Sequence, residues 1–265
     1  NAAQPQTNLK LTAVALADAA MAGARGNSGI IFAQFLYGFS NEIKEEQTLS
    51  ASAFAEYMKN AVRYAYEAIA NPMEGTMISV IKDWAEYIYQ LKDHFEDFIK
   101  MLLDGLVKAV ESLNSTTSKM AVLAKAGVVD AGAKGFVVFL EGMFDYFQNG
   151  QVEVQIDTNA IEIEEAVSAI SHEDITFRFC TEAMIVGKDL KREKFSHLME
   201  KYGDSMVIAG SPEKMRIHIH TDQPWSLFED ISALGTITYK KVDDMVMQND
   251  VASNRKYPIG LLTDS

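Results

Sequence analysis

Up to about residue 150, apolar residues recur along the chain at intervals of three and four. In the stretch from Phe54 to Ile69 these positions fall on one face of a helix, which neighbouring helices must cover. The same spacing, interrupted by glycine, proline or polar breaks, predicts further helices. They are expected over residues 9–22, 30–43, 77–91, 95–113, 118–126 and 136–147. Six or seven helices without a convincing strand predict an all-α bundle.

After Gly150 the pattern changes to short β-rich runs that alternate with helical ones. We expect strands at 177–186, 205–209, 215–221 and 236–242, with helices at 191–202 and 225–234. The order β-α-β-β-α-β is that of a ferredoxin-like α+β domain, an antiparallel sheet with both helices on one face. The predicted fold class is therefore multi-domain, with a helical bundle followed by this α+β domain.

The same pattern predicts where the domains begin and end. The bundle occupies residues 1–150, an acidic connector with a short helix at 160–170 follows over 151–174, and the α+β domain spans 175–252. Residues 253–265 are predicted to be a linker and the first strand of a further domain, so we expect a fragment of a longer polypeptide.

The composition indicates which binding partners and which cell compartment the chain is suited to. The 265 residues carry 24 basic and 37 acidic side chains, a formal charge of −13, which disfavours nucleic acid and anionic membrane surfaces. No apolar run is long enough to cross a bilayer. Cys180 is the only cysteine, so no internal disulfide can form and a cytoplasmic location is expected.

Three glycine-containing turns separate predicted helices. They are Gly23–Gly29 (GARGNSG), Asn71–Met77 (NPMEGTM) and Gly127–Gly135 (GVVDAGAKG). Exposed amides at the start of a helix suit a phosphate, but the first turn taken alone is better explained by a helix end followed by a serine cap. In the other two turns, Met77 could contact a ligand or simply pack in the core. Asp130 could likewise contact a ligand or simply cap the next helix.

Taken in this order and at this spacing, GARGNSG, PMEGTM and AGVVDAGAKG resemble the nucleotide-binding domain of the DhaL type, the ATP-binding part of dihydroxyacetone kinases. The segments FCTEAMI, RIHIHTDQP and KKVDDM are similar to the middle domain of the bacterial fatty acid kinase family. The ending IGLLTDS resembles the start of a DegV-like domain. The resemblance covers essentially the whole chain.

The resemblance implies an ATP site. Gly26, Asn27, Ser28 and Gly29 would wrap the phosphates, mainly with backbone amides. The rest of the pocket would be formed by Thr76, Met77, Asp130 and Gly132. No catalytic residue is assigned.

One departure concerns magnesium. DhaL-type kinases hold Mg²⁺ with aspartates in a DGDTGTNM-like segment before the GNSG loop, and no such segment occurs here. Since phosphoryl transfer needs cations on the phosphates, we expect these ligands upstream of residue 1 and little activity from this stretch alone.

A histidine pair lies on a predicted strand of the second domain. His218 and His220 flank Ile219, so period-two alternation places both imidazoles on one face, with Cys180 on the adjacent central strand. The residues alone favour a solvated histidine pair beside a buried cysteine. The resemblance favours zinc, because the family's middle domain carries a cysteine and an H-x-H pair. The fourth ligand would be water or a carboxylate such as Glu182 or Asp222.

The resemblance implies a kinase that phosphorylates the carboxylate of a fatty acid presented by a DegV-like carrier protein. A dihydroxyacetone kinase component is the runner-up, and the middle domain and the TDS ending argue against it. A non-catalytic nucleotide-binding or dimerisation module is the alternative from another class, favoured by the missing aspartates. A homodimer is expected.

Overall fold

The computed structural model describes residues 8–44, 48–94, 97–150 and 175–253. The predicted connector helix and the predicted C-terminal strand lie outside these residues. The N-terminal part is helical, as its apolar spacing predicts. Its helices are α1 (Leu9–Gly23), α2 (Gly26–Glu42), α3 (Ala51–Glu67), α4 (Met77–Gln90), α5 (Phe98–Lys119), α6 (Ala121–Ala126) and α7 (Ala131–Asn149).

Aromatic side chains fill the centre of the bundle. Trp84 is 1% exposed, and its ring makes edge-to-face contacts with Phe35, Phe54 and Phe136 at centroid distances of 6.5, 6.4 and 5.6 Å. Consecutive helices from α1 to α5 pack on one another, and α7 returns to contact α2, α4 and α5. Because α7 closes the bundle, its first turn lies close to those of α2 and α4.

The second part is the predicted ferredoxin-like domain. Its elements are β1 (Phe179–Val186), α8 (Arg192–Met199), β2 (Gly203–Ser211), β3 (Lys214–Thr221), α9 (Pro224–Ser232), β4 (Thr236–Asp244) and α10 (Met245–Ser253). The strands form one antiparallel sheet in the order β2-β3-β1-β4, so β1 and β3 are neighbours as expected. Helix α10 was not predicted from the sequence. Asp244 accepts a hydrogen bond from the amide of Met247 at its start.

The two faces of the sheet have different partners. Ala183, Ile185, Ile217 and Ile219 belong to the core that the sheet forms with α8 and α9. Met184, Val207 and Ala209 project from the other face and belong to the same buried cluster as the centre of the helical bundle. The core of the bundle therefore extends onto this face of the sheet, while the core on the other face is a separate cluster.

Backbone hydrogen bonds also join the two parts. The amide of Ala70 donates to the carbonyl of Met206 (3.2 Å), and the amide of Ile208 donates to the carbonyl of Ala68 (2.8 Å). Ile69 and Val207 form an antiparallel bridge between them. The segment after α3 thus covers the free edge of β2, which would otherwise expose unpaired backbone groups.

None of the helices in the described ranges combines the length and apolar composition that a membrane-spanning segment requires.

Candidate functional site

The GNSG segment forms the first turn of α2. The helix begins at Gly26, four residues before its predicted start at residue 30, and Gly26 has φ +60°, which glycine adopts at no steric cost. Asn27, Ser28 and Gly29 therefore lie where helix amides lack intrahelical partners. This end of a helix attracts anions, because its amide hydrogens point outward.

The second predicted turn ends at the start of α4. Thr76 is the N-cap residue, and its hydroxyl donates to the carbonyl of Met73 at 2.8 Å. Met77 is 4% exposed and belongs to the bundle core, while it also lines the cavity described below. Core packing of Met77 is confirmed, and its contact with a nucleotide stays a prediction.

Asp130 is the N-cap of α7, and its Oδ1 accepts a hydrogen bond from the amide of Ala133 at 2.7 Å. Its capping role is thereby confirmed. Burial raises the pKa of Asp130, and hydrogen bonds from the amides of Ala133 and Met77 oppose this effect without cancelling it. Since Met77 begins α4, Asp130 ties the starts of α4 and α7 together.

The starts of α2 and α7 are in close contact at Gly132. A Cβ atom at this position would lie 2.3 Å from Oγ and 2.9 Å from Cβ of Ser28. Gly132 is therefore required by the approach of the two helices.

The three helix starts meet at one cavity of about 280 Å³, close to the lower end of the range typical of ligand pockets. Five of the eight predicted nucleotide-site residues line it, whereas Gly26, Gly29 and Gly132 lie beside it in the same turns. The lining residues are Asn27, Ser28, Ile31, Ile69, Asn71, Met73, Thr76, Met77, Asp130, Ser205, Met206 and Val207.

Two features of this cavity fit a nucleotide. Asn27 Oδ1 is a buried acceptor that no described residue satisfies, so a ligand donor can pair with it. The starts of α2 and α7 approach closely at Gly132, whose missing side chain leaves room for Ser28, a residue that lines the cavity.

Sequence reasoning missed the other lining residues. Asn71 and Met73 belong to a turn that was recognised, although only Thr76 and Met77 were assigned from it. Ser205, Met206 and Val207 come from β2 of the second domain. Their part in the cavity depends on how the two domains pack, so no local motif marks them.

The three predicted metal ligands also come together. In the sheet register Cys180 lies opposite His220, and Cys180 Sγ is 3.9 Å from Nδ1 of His218. One ligand atom from each of Cys180, His218 and His220 can be chosen so that all lie within 4.8 Å of one another. One sulfur and two imidazole nitrogens form a donor set that suits zinc.

This polar face of the sheet is covered by the bundle. His218 is 2% exposed, which excludes the solvated histidine pair considered above. Burial lowers the pKa of His220, the charge of His218 lowers it further, and Asp204 acts in the opposite direction. Burial also raises the pKa of the Cys180 thiol to about 11, with smaller contributions from Glu182 and Asp243 that exceed the opposing effect of Lys241.

Glu182 connects this cluster to the first turn of α2. Its Oε1 accepts a hydrogen bond from the amide of Gly26 (3.0 Å) and lies 3.5 Å from Nδ1 of His218, while Oε2 pairs with Arg216 at 2.7 Å. Burial would raise the pKa of Glu182, but hydrogen bonds from His218, Arg216 and Gly26 outweigh it and lower the pKa to about 2. Asp222, the other candidate fourth ligand, accepts a hydrogen bond from the amide of Arg178.

Arg216 reaches the bundle as well. It is 1% exposed, donates to the carbonyls of Met21 and Ala22 at 3.4 Å each, and lies over the ring of Tyr239 at 5.2 Å. The C-terminal end of α1 and the start of α2 are thus both held by the polar face of the sheet. Sequence reasoning missed Arg216 and its pairing with Glu182.

Comparison with known families agrees with this arrangement. Residues 1–145 match the model of the DAK2 domain, so the chain belongs to the DAK2-domain family. Residues 176–252 match the model of the FakA-like middle domain of fatty acid kinase. The resemblance to a DhaL-type domain followed by this middle domain is confirmed.

Staphylococcal proteins are similar to the chain over most of its length. An uncharacterised protein of Staphylococcus epidermidis and one of Staphylococcus aureus (strain USA300) are each 34% identical over 236 residues, which is 86% of this chain. The match covers 43% of each relative. The chain therefore spans less than half the length of these proteins.

Proposed function

We propose that the cavity between α2, α4 and α7 binds ATP, and that the chain supplies the nucleotide-binding and middle domains of a fatty acid kinase. The observation that carries the proposal is the meeting of three helix starts at one cavity. A single helix start is a weak anion site, whereas several around one cavity can neutralise a polyphosphate.

Different residues of the cavity would bind the phosphates and the base of the nucleotide. Amides of Asn27, Ser28 and Gly29 in the first turn of α2 are placed to hold phosphate oxygens. The apolar side chains of Ile31 and Ile69 line another part of the cavity and suit the base. Magnesium, when bound, would supply positive charge that neutralises the charge developing in the transfer, and we propose that its ligands lie upstream of residue 1.

The acceptor is proposed to be the carboxylate of a fatty acid carried by a DegV-like protein. A carboxylate oxygen attacks the γ-phosphorus, the bond between this phosphorus and the bridging oxygen breaks, and ADP and an acyl phosphate result. The match of residues 176–252 to the FakA-like middle domain of fatty acid kinase favours this acceptor over dihydroxyacetone.

The Cys180, His218 and His220 cluster is proposed to hold zinc with a structural role. The ion would bind a thiolate on β1 and two imidazoles on β3, and would thereby fix the register of the central strands. The donor set supports this assignment, and the pairing of Glu182 with Arg216 leaves the fourth position to another ligand.

Calorimetric titration with ATP and magnesium tests the nucleotide site. Ser28→Leu places a branched side chain in the cavity and should weaken ATP affinity by about tenfold or more. Ser226→Leu makes the same change on the exposed surface of α9 and should leave the affinity unchanged. Equal ATP affinities of wild type and Ser28→Leu, with both proteins folded, would contradict the assignment.

A further inference from the structure

The cavity between the helix starts is completed by the second domain. Ser205, Met206 and Val207 of β2 line it, together with residues from the starts of α2, α4 and α7. Val207 is 2% exposed and belongs to the buried cluster of the bundle, so this wall is an integral part of the packing. Ser205, by contrast, is exposed.

The strand is irregular at this wall. Asp204 pairs with His220 and Val207 pairs with His218, so β2 has one residue more than β3 between these pairs, which is a β-bulge. Ser205 lies within the bulge at φ +54°, a left-handed conformation that is uncommon for residues other than glycine. Bulges and such conformations recur beside functional sites, where they redirect a side chain.

The bulge is joined to the bundle on one side and to the neighbouring strand β3 on the other. Hydrogen bonds join the backbone of Met206 to Ala70 and that of Ile208 to Ala68. On the other side, Asp204 Oδ1 lies 3.7 Å from Nδ1 of His220. The position of Ser205 is therefore fixed relative to the helix starts.

We infer that the nucleotide site is shared between the two domains, with Ser205 of the middle domain in contact with the bound nucleotide. This inference rests on the proposed ATP site. Ser205 and the first turn of α2 line the same cavity of about 280 Å³, so a phosphate held by that turn lies in the cavity that Ser205 borders. The Debye length at physiological ionic strength is ~8 Å, so a charge at position 205 would be only partly screened from this phosphate and is expected to change ATP affinity.

A charge series at Ser205 tests the inference. Asn and Asp have nearly the same shape, and both tolerate a left-handed backbone, so Ser205→Asn and Ser205→Asp differ mainly in charge. In calorimetric titrations with ATP and magnesium, we expect Ser205→Asp to weaken affinity by about tenfold or more. Ser205→Asn changes the side chain without adding a charge and should weaken ATP affinity by a smaller factor than Ser205→Asp.

The opposite charge separates electrostatics from misfolding. Ser205→Lys should tighten ATP binding, whereas a damaged bulge would weaken binding in both charged variants. Raising the salt concentration should reduce the difference in ATP affinity between Ser205→Asp and Ser205→Lys.

The titrations distinguish a failure of this inference from a failure of the proposed ATP site. If wild type binds ATP and the three variants bind equally, or if both charged variants weaken binding alike, the shared site is overturned and the ATP site stands. If wild type binds no ATP at any magnesium concentration, the proposed function and this inference both fail.

Discussion

The carboxylate of Glu182 accepts a hydrogen bond from the backbone amide of Gly26, 3.0 Å away, although 156 residues separate the two along the chain. Glu182 belongs to the central strand of the sheet, and Gly26 begins the helix whose first turn lines the cavity. The same carboxylate pairs with Arg216. One buried ion pair therefore joins the proposed metal-ligand cluster, the sheet and the proposed phosphate-binding turn.

This ion pair predicts a non-additive response to mutation. Glu182 and Arg216 are each 1% exposed, so Arg216→Met leaves a buried carboxylate without its partner and should lower the free energy of unfolding by ~3–5 kcal/mol. Glu182→Gln should also be costly, because it leaves Arg216 charged. The double variant removes both charges and keeps an acceptor for Gly26, so its loss should be smaller than the sum of the single losses.

Urea denaturation measures this cycle. The exposed pair of Lys100 and Asp104 is the control, since Lys100→Met on a solvated helix surface should hardly change stability. Additive losses for Glu182→Gln and Arg216→Met would show that the two side chains act separately.

Two glycines of α7 allow the same Gly→Ala substitution to be compared at a helix contact and at an open position. A Cβ at Gly132 would meet Ser28, whereas a Cβ at Gly135 has open space around it. Rotation of Ser28 relieves the contact with Oγ but not that with its Cβ, so Gly132→Ala should push α2 and α7 apart and weaken ATP binding. Gly135→Ala should raise the free energy of unfolding by ~0.5–1 kcal/mol, as alanine does within a helix.

Calorimetry and thermal melting of the two alanine variants provide the measurement. If Gly132→Ala and Gly135→Ala have the same ATP affinity and the same stability, the contact between the two helix starts has no consequence for the site.

Asp130 predicts a pH dependence with a defined sign. Its pKa is raised above the ordinary value of 3.8, so ionised Asp130 is disfavoured in the folded state. Asp130 therefore lowers the free energy of unfolding as the pH rises from its pKa in the unfolded state to its pKa in the folded state. Above the folded-state pKa this loss stays constant. Asp130→Asn keeps the cap without the charge, so its stability relative to wild type should increase over this pH range and then level off.

Asp130→Ala removes the cap and should cost ~1 kcal/mol at neutral pH. Denaturation curves between about pH 3 and pH 7 separate the two effects. A relative stability of Asp130→Asn that falls with pH would mean that the carboxylate is stabilised by its surroundings.

The cysteine and histidine cluster predicts bound zinc. Elemental analysis of the purified chain should find about one zinc per chain, and Cys180→Ser or His218→Ala should abolish it and lower the melting temperature. His197→Ala is the control, because the side chain of His197 is 91% exposed on α8. Zinc-free wild-type protein that melts at the same temperature with and without added zinc would contradict a structural ion.

Much of the fold could be predicted from local pattern. Period 3.6 placed α1, α3 and α4 to within three residues of their ends, because an apolar stripe at this spacing is buried only as a helix. The start of α2 was placed too late, since Gly26 to Gly29 has the composition of a loop. Helix α10 was missed because its short sequence lacks a clear apolar stripe.

The candidate site was predictable only in part. Ser28, Thr76 and Asp130 stand at helix starts, where sequence motifs indicate them, and the structure brings all three to one cavity. Ser205 and Val207 carry no such signal, because they reach the cavity through a bulge and through the packing of one domain on the other.

The sequence by itself determined that Arg216, His218 and His220 share one face of β3 and that Ile217 and Ile219 share the other, since side chains of a strand alternate by covalent geometry. Only the tertiary structure decided what covers the polar face. The helical bundle packs on it and excludes water, so the charge of Arg216 must be compensated within the protein. Glu182 provides this compensation and at the same time binds the amide of Gly26, a contact between distant segments that no local pattern encodes.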